Sequence, residues 1–424
     1  MVRDGLFGPS PAYGRPMARS PFSPSFWRSP LRGPWLTSVL GVVLLGGITV
    51  LFVTGLVSYA AYNPNLAPVN DKTPDKGILG FYLFSWPTDP HWLYRLNQGI
   101  HVTLGITLIP VLLAKLWSVV PRLFTLPPAR SLAHALERIS LLLLVGGALF
   151  EFVTGVLNIQ LDYIFPGSFY TLHFYGAWVF IAAFIAHAVL KMPMAWRNLR
   201  QLREEKNDLV PPDPAEPTVS RRGALWFVGG GSLLLFATTV GQNFDGPLRR
   251  TALLAPHGGA EPGSGPGGFQ INKTAAYAGI RAAETDEEAW RLVVEGRNGR
   301  TVRLSRTDLL AMPLHSAALP IACVEGWSTS DQWWRGVRLR DLAALVGYDG
   351  DPPDVLVESL QRRGAFRRAA LRANQVADSH SLLALFVNGE DLTPDHGYPA
   401  RIIVPAAPGV LNTKWVARMT FGDL

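Results

Sequence analysis

The chain has one cysteine in 424 residues, Cys323, which excludes an intramolecular disulfide framework. It has no Gly-x-Gly-x-x-Gly after a strand and no P-loop, so the usual dinucleotide and nucleotide cradles are missing. No basic stretch interleaved with aromatics occurs, and the formal charge of +7 therefore does not indicate a nucleic-acid partner. The N-terminal arm lacks a secretory cleavage pattern and reads as a retained cytoplasmic tail bearing Arg3, Arg15, Arg19, Arg28 and Arg32. Histidine is sparse at nine residues, yet four of them (His101, His134, His173 and His187) fall in or at apolar runs.

What is abundant is apolar sequence: 48% of residues, with a mean hydropathy of +0.17. These residues concentrate in the first 240, where five runs near 36–60, 97–119, 137–158, 169–192 and 224–241 approach the ~20 residues a membrane helix needs. Arg122 and Arg130 follow the second run, and Lys191, Arg197, Arg200, Arg203, Lys206, Arg221 and Arg222 follow the fourth, as cytoplasmic loops require. The loops 61–94 and 159–168, with Asp71, Asp75, Asp89 and Asp162, suit the other side. The expectation is a multi-pass protein of a bacterial cell membrane, surrounded by lipid, with its C-terminal domain extracytoplasmic. The fifth run follows Ser220-Arg-Arg-Gly-Ala-Leu225, which resembles a twin-arginine export signal placed internally; a pair of snorkelling arginines is the alternative.

Ionisable side chains in hydrocarbon are costly and usually functional. His173 and His187 lie 14 residues apart, about 21 Å of helical rise with about 40° of rotation, so one imidazole stands near each membrane face on the same side of the helix. That arrangement suits one or two haem b groups, an outer one between His101 and His173 and an inner one between His187 and His134. Polar helix–helix contact is the competing reading. Lys115 reads as snorkelling to the cytoplasmic interface, and Glu151 either as a proton relay for a quinone or as a paired group. The spacing resembles the membrane cytochrome b subunits of formate dehydrogenases and nickel-iron hydrogenases, which implies exchange with the quinone/quinol pool. In that family the first helix supplies an inner ligand, whereas the first run here contains no His.

After a Gly- and Pro-rich stretch at 242–268, short apolar strands alternate with short amphipathic helices, a pattern of α+β rather than doubly wound type. Three blocks stand out: Asn272-Lys-Thr-Ala-Ala276; Cys323-Val-Glu-Gly-Trp-Ser328 with Gly336-Val-Arg-Leu-Arg-Asp-Leu342; and His396-Gly-Tyr-Pro-Ala-Arg401 through Asn412-Thr-Lys-Trp415. In this order they resemble the sulfite oxidase superfamily of molybdopterin-dependent oxidoreductases. The resemblance implies that Cys323 is the thiolate ligand of molybdenum and the catalytic centre. It implies that Asn272, Ala275, Ala276, Ser359, His396, Arg401, Asn412, Thr413 and Lys414 hold the pterin and its phosphate. The segment after Cys323 is closer to the bacterial methionine sulfoxide reductase catalytic subunit than to the eukaryotic-type enzymes, and His396 stands where near relatives have Asn.

The expected organisation is multidomain: a cytoplasmic arm at 1–35, a four-helix membrane cytochrome b domain at 36–200 and a loop with the fifth span at 201–241. A linker at 242–268 and an α+β molybdopterin domain at 269–424 complete it. The expected activity is oxygen-atom exchange with a small substrate outside the cytoplasm, either S-oxide or N-oxide reduction or sulfite-type oxidation. The alternatives are a cytochrome b subunit whose outer domain docks a partner enzyme, and a transporter or sensor.

Overall fold

The computed structural model describes residues 29, 31–70, 73, 84–119, 131–159, 169–200, 219–255, 269–363 and 366–424. The expectations for Arg3, Arg15, Arg19 and Arg28 of the N-terminal arm, for Asp71 and Asp75, and for the loops at 120–130, 160–168 and 201–218 lie outside the described residues, as does 256–268 of the linker; Arg32 is described and is buried with its guanidinium over the Trp117 ring.

Five long helices come first: α1 Pro34–Ala60, α2 Leu93–Val119, α3 Leu132–Asn158, α4 Phe169–Arg200 and α5 Arg221–Ala237. Each belongs to a segment long and apolar enough to cross a membrane. Local signals explain the starts: Pro34 opens α1, while the Ser131 and Ser220 hydroxyls cap α3 and α5 by accepting from the N–H groups of His134 and Gly223. The helices overrun the apolar runs, because α2 begins at Leu93, before the run, and takes in Tyr94 and Arg95, and α4 continues to Arg200. Helical hydrogen bonding does not need an apolar side chain. Leu36, Leu40, Leu44 and Ile48 form one stripe of α1 and pack on Val111, Leu112, Phe180 and Ile181. Outward faces expose Leu142, Val189, Phe227 and Leu233, a surface that hydrocarbon accepts and water does not. Lys115 donates to the Thr37 carbonyl at 2.6 Å, so its ammonium ties α2 to α1.

The C-terminal domain holds two sheets. The strands are β1 Leu292–Glu295, β2 Thr301–Leu304, β3 His315–Leu319, β4 Gln332–Arg338, β5 Val355–Ser359, β6 Arg368–Leu371, β7 Leu382–Val387, β8 Glu390–Asp391, β9 Arg401–Ile403 and β10 Val416–Phe421. One sheet has the order β2-β1-β10-β5-β6, with β1 and β10 parallel; the other runs β3-β4-β7-β8, with β9 also paired to β7. Alternation along β7 explains the layering. Leu383 and Leu385 face the core between the sheets with Val294, Val357 and Met419, while Leu382 and Ala384 face a second core with Phe269 and Trp334. The second sheet is thus covered on both faces, which is why β7 reads as an unbroken apolar run.

The domain sits on the end of the bundle formed by the C-terminus of α1 and the N-terminus of α2. Ala60, Ala61, Tyr62, Trp86 and Tyr94 form an apolar cluster with Ala322. Asn63 donates to Gln375 and to the Ala370 carbonyl at 2.8 and 3.1 Å, and the Trp86 indole donates to the Ala406 carbonyl at 2.7 Å. The first part of the expected linker differs from a loose connector. Residues Val240–Asn243 and Gly246–Thr251 form 3₁₀ turns, Arg249 is buried, and its guanidinium donates to the Ser328 carbonyl at 2.6 Å. Its Gly and Pro content reports the turns, but the turns are built against α2 and the loop after Cys323.

Candidate functional site

Cys323 lies four residues beyond β3, on a tight reversal rather than in the strand. Its N–H donates to the Trp327 carbonyl at 2.9 Å, and its own carbonyl accepts from the Gly326 N–H at 3.1 Å. Gly326 takes φ +90, and a Cβ there would lie 2.6 Å from Val102 of α2, so the turn requires glycine for both backbone and space. The thiol is 3% exposed. Burial, reinforced by the neighbouring Glu325 carboxylate, pushes it well above its ordinary range, so a thiolate here needs a cation to hold it. Among the described residues no group of three or more His, Cys, Asp or Glu is arranged to hold a metal. A metal at Cys323 would therefore take its remaining ligands from a non-protein group.

A basic cradle lies beside this turn. The Gly409 N–H donates to the Ala322 carbonyl at 2.7 Å, and the same 3₁₀ turn leads into Asn412, Thr413 and Lys414. Arg401 enters from β9, donating to the carbonyls of His396 at 3.0 Å and Asn412 at 3.3 Å. Lys414 donates to the carbonyls of Lys273 and Asp395 at 2.6 and 2.9 Å, and Ser359 donates to the Lys414 carbonyl at 2.7 Å. The Ala275 N–H donates to Asp395 at 2.8 Å. These bonds draw Ala275, Ser359, His396, Arg401 and the 412–414 turn together, whereas Asn272 and Ala276 stand exposed on their segment.

The cradle is electrostatically unbalanced. Neither Arg401 nor Lys414 has a carboxylate partner among the described residues, and Arg401 Nε, Asn412 Nδ2 and Thr413 Oγ1 are buried without an acceptor or donor. Burial alone brings Arg401 down to about 9; burial, then Arg401 and Lys273, bring Lys414 well below its usual value. Buried cations and idle donors of this kind are the complement of an anion such as a phosphate.

His396 shares the imbalance: burial first, then Arg401 and Lys414, lower it from 6.5 to about 4, against smaller opposing effects of the Phe269 carbonyl and Asp395. The sign follows from linkage. Between those values the unfolded chain binds a proton that the folded chain refuses, so stability is full above pH 6.5 and falls as the pH drops toward 4. Cofactor-free protein is expected to lose up to ~3 kcal/mol through His396 over that window. Unfolding curves at stepped pH check it, with a shallower slope expected in His396→Asn.

A second candidate site lies inside the bundle. His101 and His173 face each other with ring centres 6.2 Å apart and planes at 89°. A metal held by both imidazoles, at about 2 Å from each nitrogen with about 1 Å more to each ring centre, needs the centres about 6 Å apart. The rings line one cavity with Gly55, Gly155, Phe174 and Glu151. Glu151 Oε2 lies 3.2 Å from His173 Nδ1, so this carboxyl is paired with an imidazole. The cavity does not reach His187 or His134. His187 is half-buried on α4, and His134 sits at the capped start of α3.

The two candidate sites share a wall. Val324, next to Cys323, lines the histidine cavity, and its carbonyl accepts from Gln98 Nε2 at 2.5 Å. Gln98 stands one helical turn before His101 and accepts from Ser58 at 2.9 Å.

A buried thiol beside an anion cradle on a two-sheet domain fits a domain that holds a phosphate-bearing cofactor, and sequence comparison names its class. Residues 279–423 match the oxidoreductase molybdopterin binding domain. The uncharacterized oxidoreductase YuiH of Bacillus subtilis (strain 168) is 32% identical over 136 residues, 32% of this chain and 67% of that protein. The mitochondrial sulfite oxidase of Rattus norvegicus is 30% identical over 160 residues, 32% of this chain but 29% of the relative. A nitrate reductase [NAD(P)H] of Hordeum vulgare is 35% identical over 258 residues, 54% of this chain and 27% of the relative. The chain belongs to the molybdopterin-binding oxidoreductase family and is an oxidoreductase enzyme.

Proposed function

We propose that the protein is a membrane-bound molybdenum oxidoreductase. It exchanges an oxygen atom with a small extracytoplasmic substrate and is linked through haem b to the quinone pool. The observation that carries this reading is the shared wall: the turn bearing Cys323 closes the cavity that His101 and His173 line, through Val324 and Gln98. When bound, the molybdenum centre supplies two-electron oxygen-atom exchange and the haem supplies one-electron transfer.

The chain's own residues divide the remaining work. Cys323 offers the thiolate, and Arg401, Lys414, Asn412 and Thr413 offer positive charge and idle hydrogen-bonding groups to the pterin phosphate. Ser359, His396 and the 272–276 segment frame the same cradle. Tyr62, Trp86, Tyr94 and Trp327, all buried, shield the turn from bulk water. His101 and His173 would hold the haem iron through their imidazole nitrogens. Arg221 and Arg222, at the start of α5, stand where an export address for a folded, cofactor-loaded domain would be read.

The relatives' names include sulfite oxidation and nitrate reduction, which suits a substrate that gains or gives up one oxygen: sulfite, an S-oxide or an N-oxide. Elemental and optical analysis of one full-length preparation tests the cofactors. Molybdenum together with a haem Soret band is expected; a preparation without molybdenum sinks the outer assignment, and one without the Soret band sinks the inner.

A further inference from the structure

The two imidazoles of the bundle are served by two copies of one sequence. Gly46-Gly-Ile-Thr-Val-Leu-Phe-Val-Thr-Gly55 of α1 and Gly146-Gly-Ala-Leu-Phe-Glu-Phe-Val-Thr-Gly155 of α3 share both glycines at their start and Phe-Val-Thr-Gly at their end, 100 residues apart. The packing repeats as well. A Cβ at Gly55 would lie 3.4 Å from His101 Cε1, and one at Gly155 lies equally 3.4 Å from His173 Cε1. Gly47 meets Leu108 and Gly147 meets Phe180, each seven residues beyond its histidine. The α1–α2 and α3–α4 hairpins are therefore two copies of one unit in one register, each giving one imidazole to the cavity between them.

Within each copy the threonine meets the histidine. Thr54 Oγ1 lies 2.9 Å from His101 Nδ1, and Thr154 Oγ1 lies 3.0 Å from His173 Nδ1. Each hydroxyl has one proton and places it on its own helix, Thr54 on the Val50 carbonyl at 2.8 Å and Thr154 on the Phe150 carbonyl at 2.6 Å. The hydroxyl oxygen is left to accept, so Nδ1 carries the ring proton and Nε2 presents a free lone pair to the cavity. The glycine that follows lets the ring lie against the neighbouring helix.

Resting on the haem reading above, we infer that Thr54 and Thr154 are positioning residues that fix the tautomer and the perpendicular planes of the two iron-ligating imidazoles. Each ring turns about its own side-chain bond, and the hydroxyl on Nδ1, beside the Leu51 or Glu151 carbonyl of the same helix, opposes that rotation. The copies differ at one telling position: Leu51 in the first corresponds to Glu151 in the second, so His173 faces a carboxylate and His101 does not. Thr54 is accordingly the more exposed point of the design.

The test is low-temperature electron paramagnetic resonance of the oxidised full-length holoprotein, with haem content measured alongside. Perpendicular axial imidazoles give low-spin ferric haem a highly anisotropic signal, which turns into an ordinary rhombic one when the planes approach each other. Wild type and Thr54→Ser are expected to show the anisotropic signal, and Thr54→Val to lose it or to lose haem. Glu151→Leu, which makes the second copy resemble the first, keeps the signal, and Thr154→Val in that background loses it. This second pair decides the matter if Thr54→Val fails to accumulate. Spectra and haem content unchanged in the valine variants overturn the inference while leaving the haem in place; a wild type without a Soret band overturns the haem reading and this inference with it.

Discussion

Cys323→Ala is expected to reduce turnover by roughly 10³-fold or more, the scale of losing a principal catalytic group. The reason is geometric. The thiol is buried on a reversal pinned by the Trp327 carbonyl and by Gly326 against Val102, and no cluster of other metal-ligating side chains among the described residues can take its place. The substitution removes one small polar atom from a turn whose backbone bonds do not involve the side chain, so the fold should persist. The pterin should persist as well, because its cradle at Arg401 and Lys414 comes from β9 and the 412–414 turn. Assay of molybdenum, released pterin and turnover on the same sample checks this. Undiminished turnover with metal still bound removes Cys323 from the site.

His101→Leu is expected to abolish the Soret band and the reduction of the protein by quinol while leaving molybdenum content and dye-linked turnover near wild type. His101 and His173 are the two imidazoles among the described residues lining the cavity, so loss of one would leave iron with a single strong protein ligand in an apolar lining. Leucine suits that lining and adds no buried polar atom. Gln98, which bonds the Val324 carbonyl, remains to seat the outer domain. If dye-linked turnover fell together with the haem, the two centres would be one structural unit rather than two linked ones.

The sequence reveals most where residue type alone restricts the chemistry. Cys323, Arg401 and the 412–414 turn stand out because a lone thiol and blocks of Arg, Lys and Asn among apolar strands have few structural uses, and the fold gathers them around one turn. The pairing of His101 with His173 also follows from helix order and depth. The inner pair fares differently: helical rise places His187 at a depth, but which residues face it depends on how the helices rotate against one another, and the histidine cavity ends before it. Thr54 and Thr154 are hidden because threonine in an apolar run looks like filler; the repeated Phe-Val-Thr-Gly at an interval of 100 was the available signal. Arg249 is concealed by composition, since Gly- and Pro-rich sequence describes both a loose connector and a set of turns packed on a neighbour.

The decisive measurement follows the haem spectrum of the full-length protein under anaerobic conditions while substrate is offered to the outer domain. After reduction with a quinol analogue, methionine sulfoxide or an N-oxide is added; in the opposite direction, sulfite is added to the oxidised protein. In wild type the haem band is expected to change redox state in one of these directions, and in Cys323→Ala it is expected to stay as it was. A haem that responds identically in both proteins, or in neither under any of these substrates, contradicts an electron path from Cys323 through the shared wall to His101.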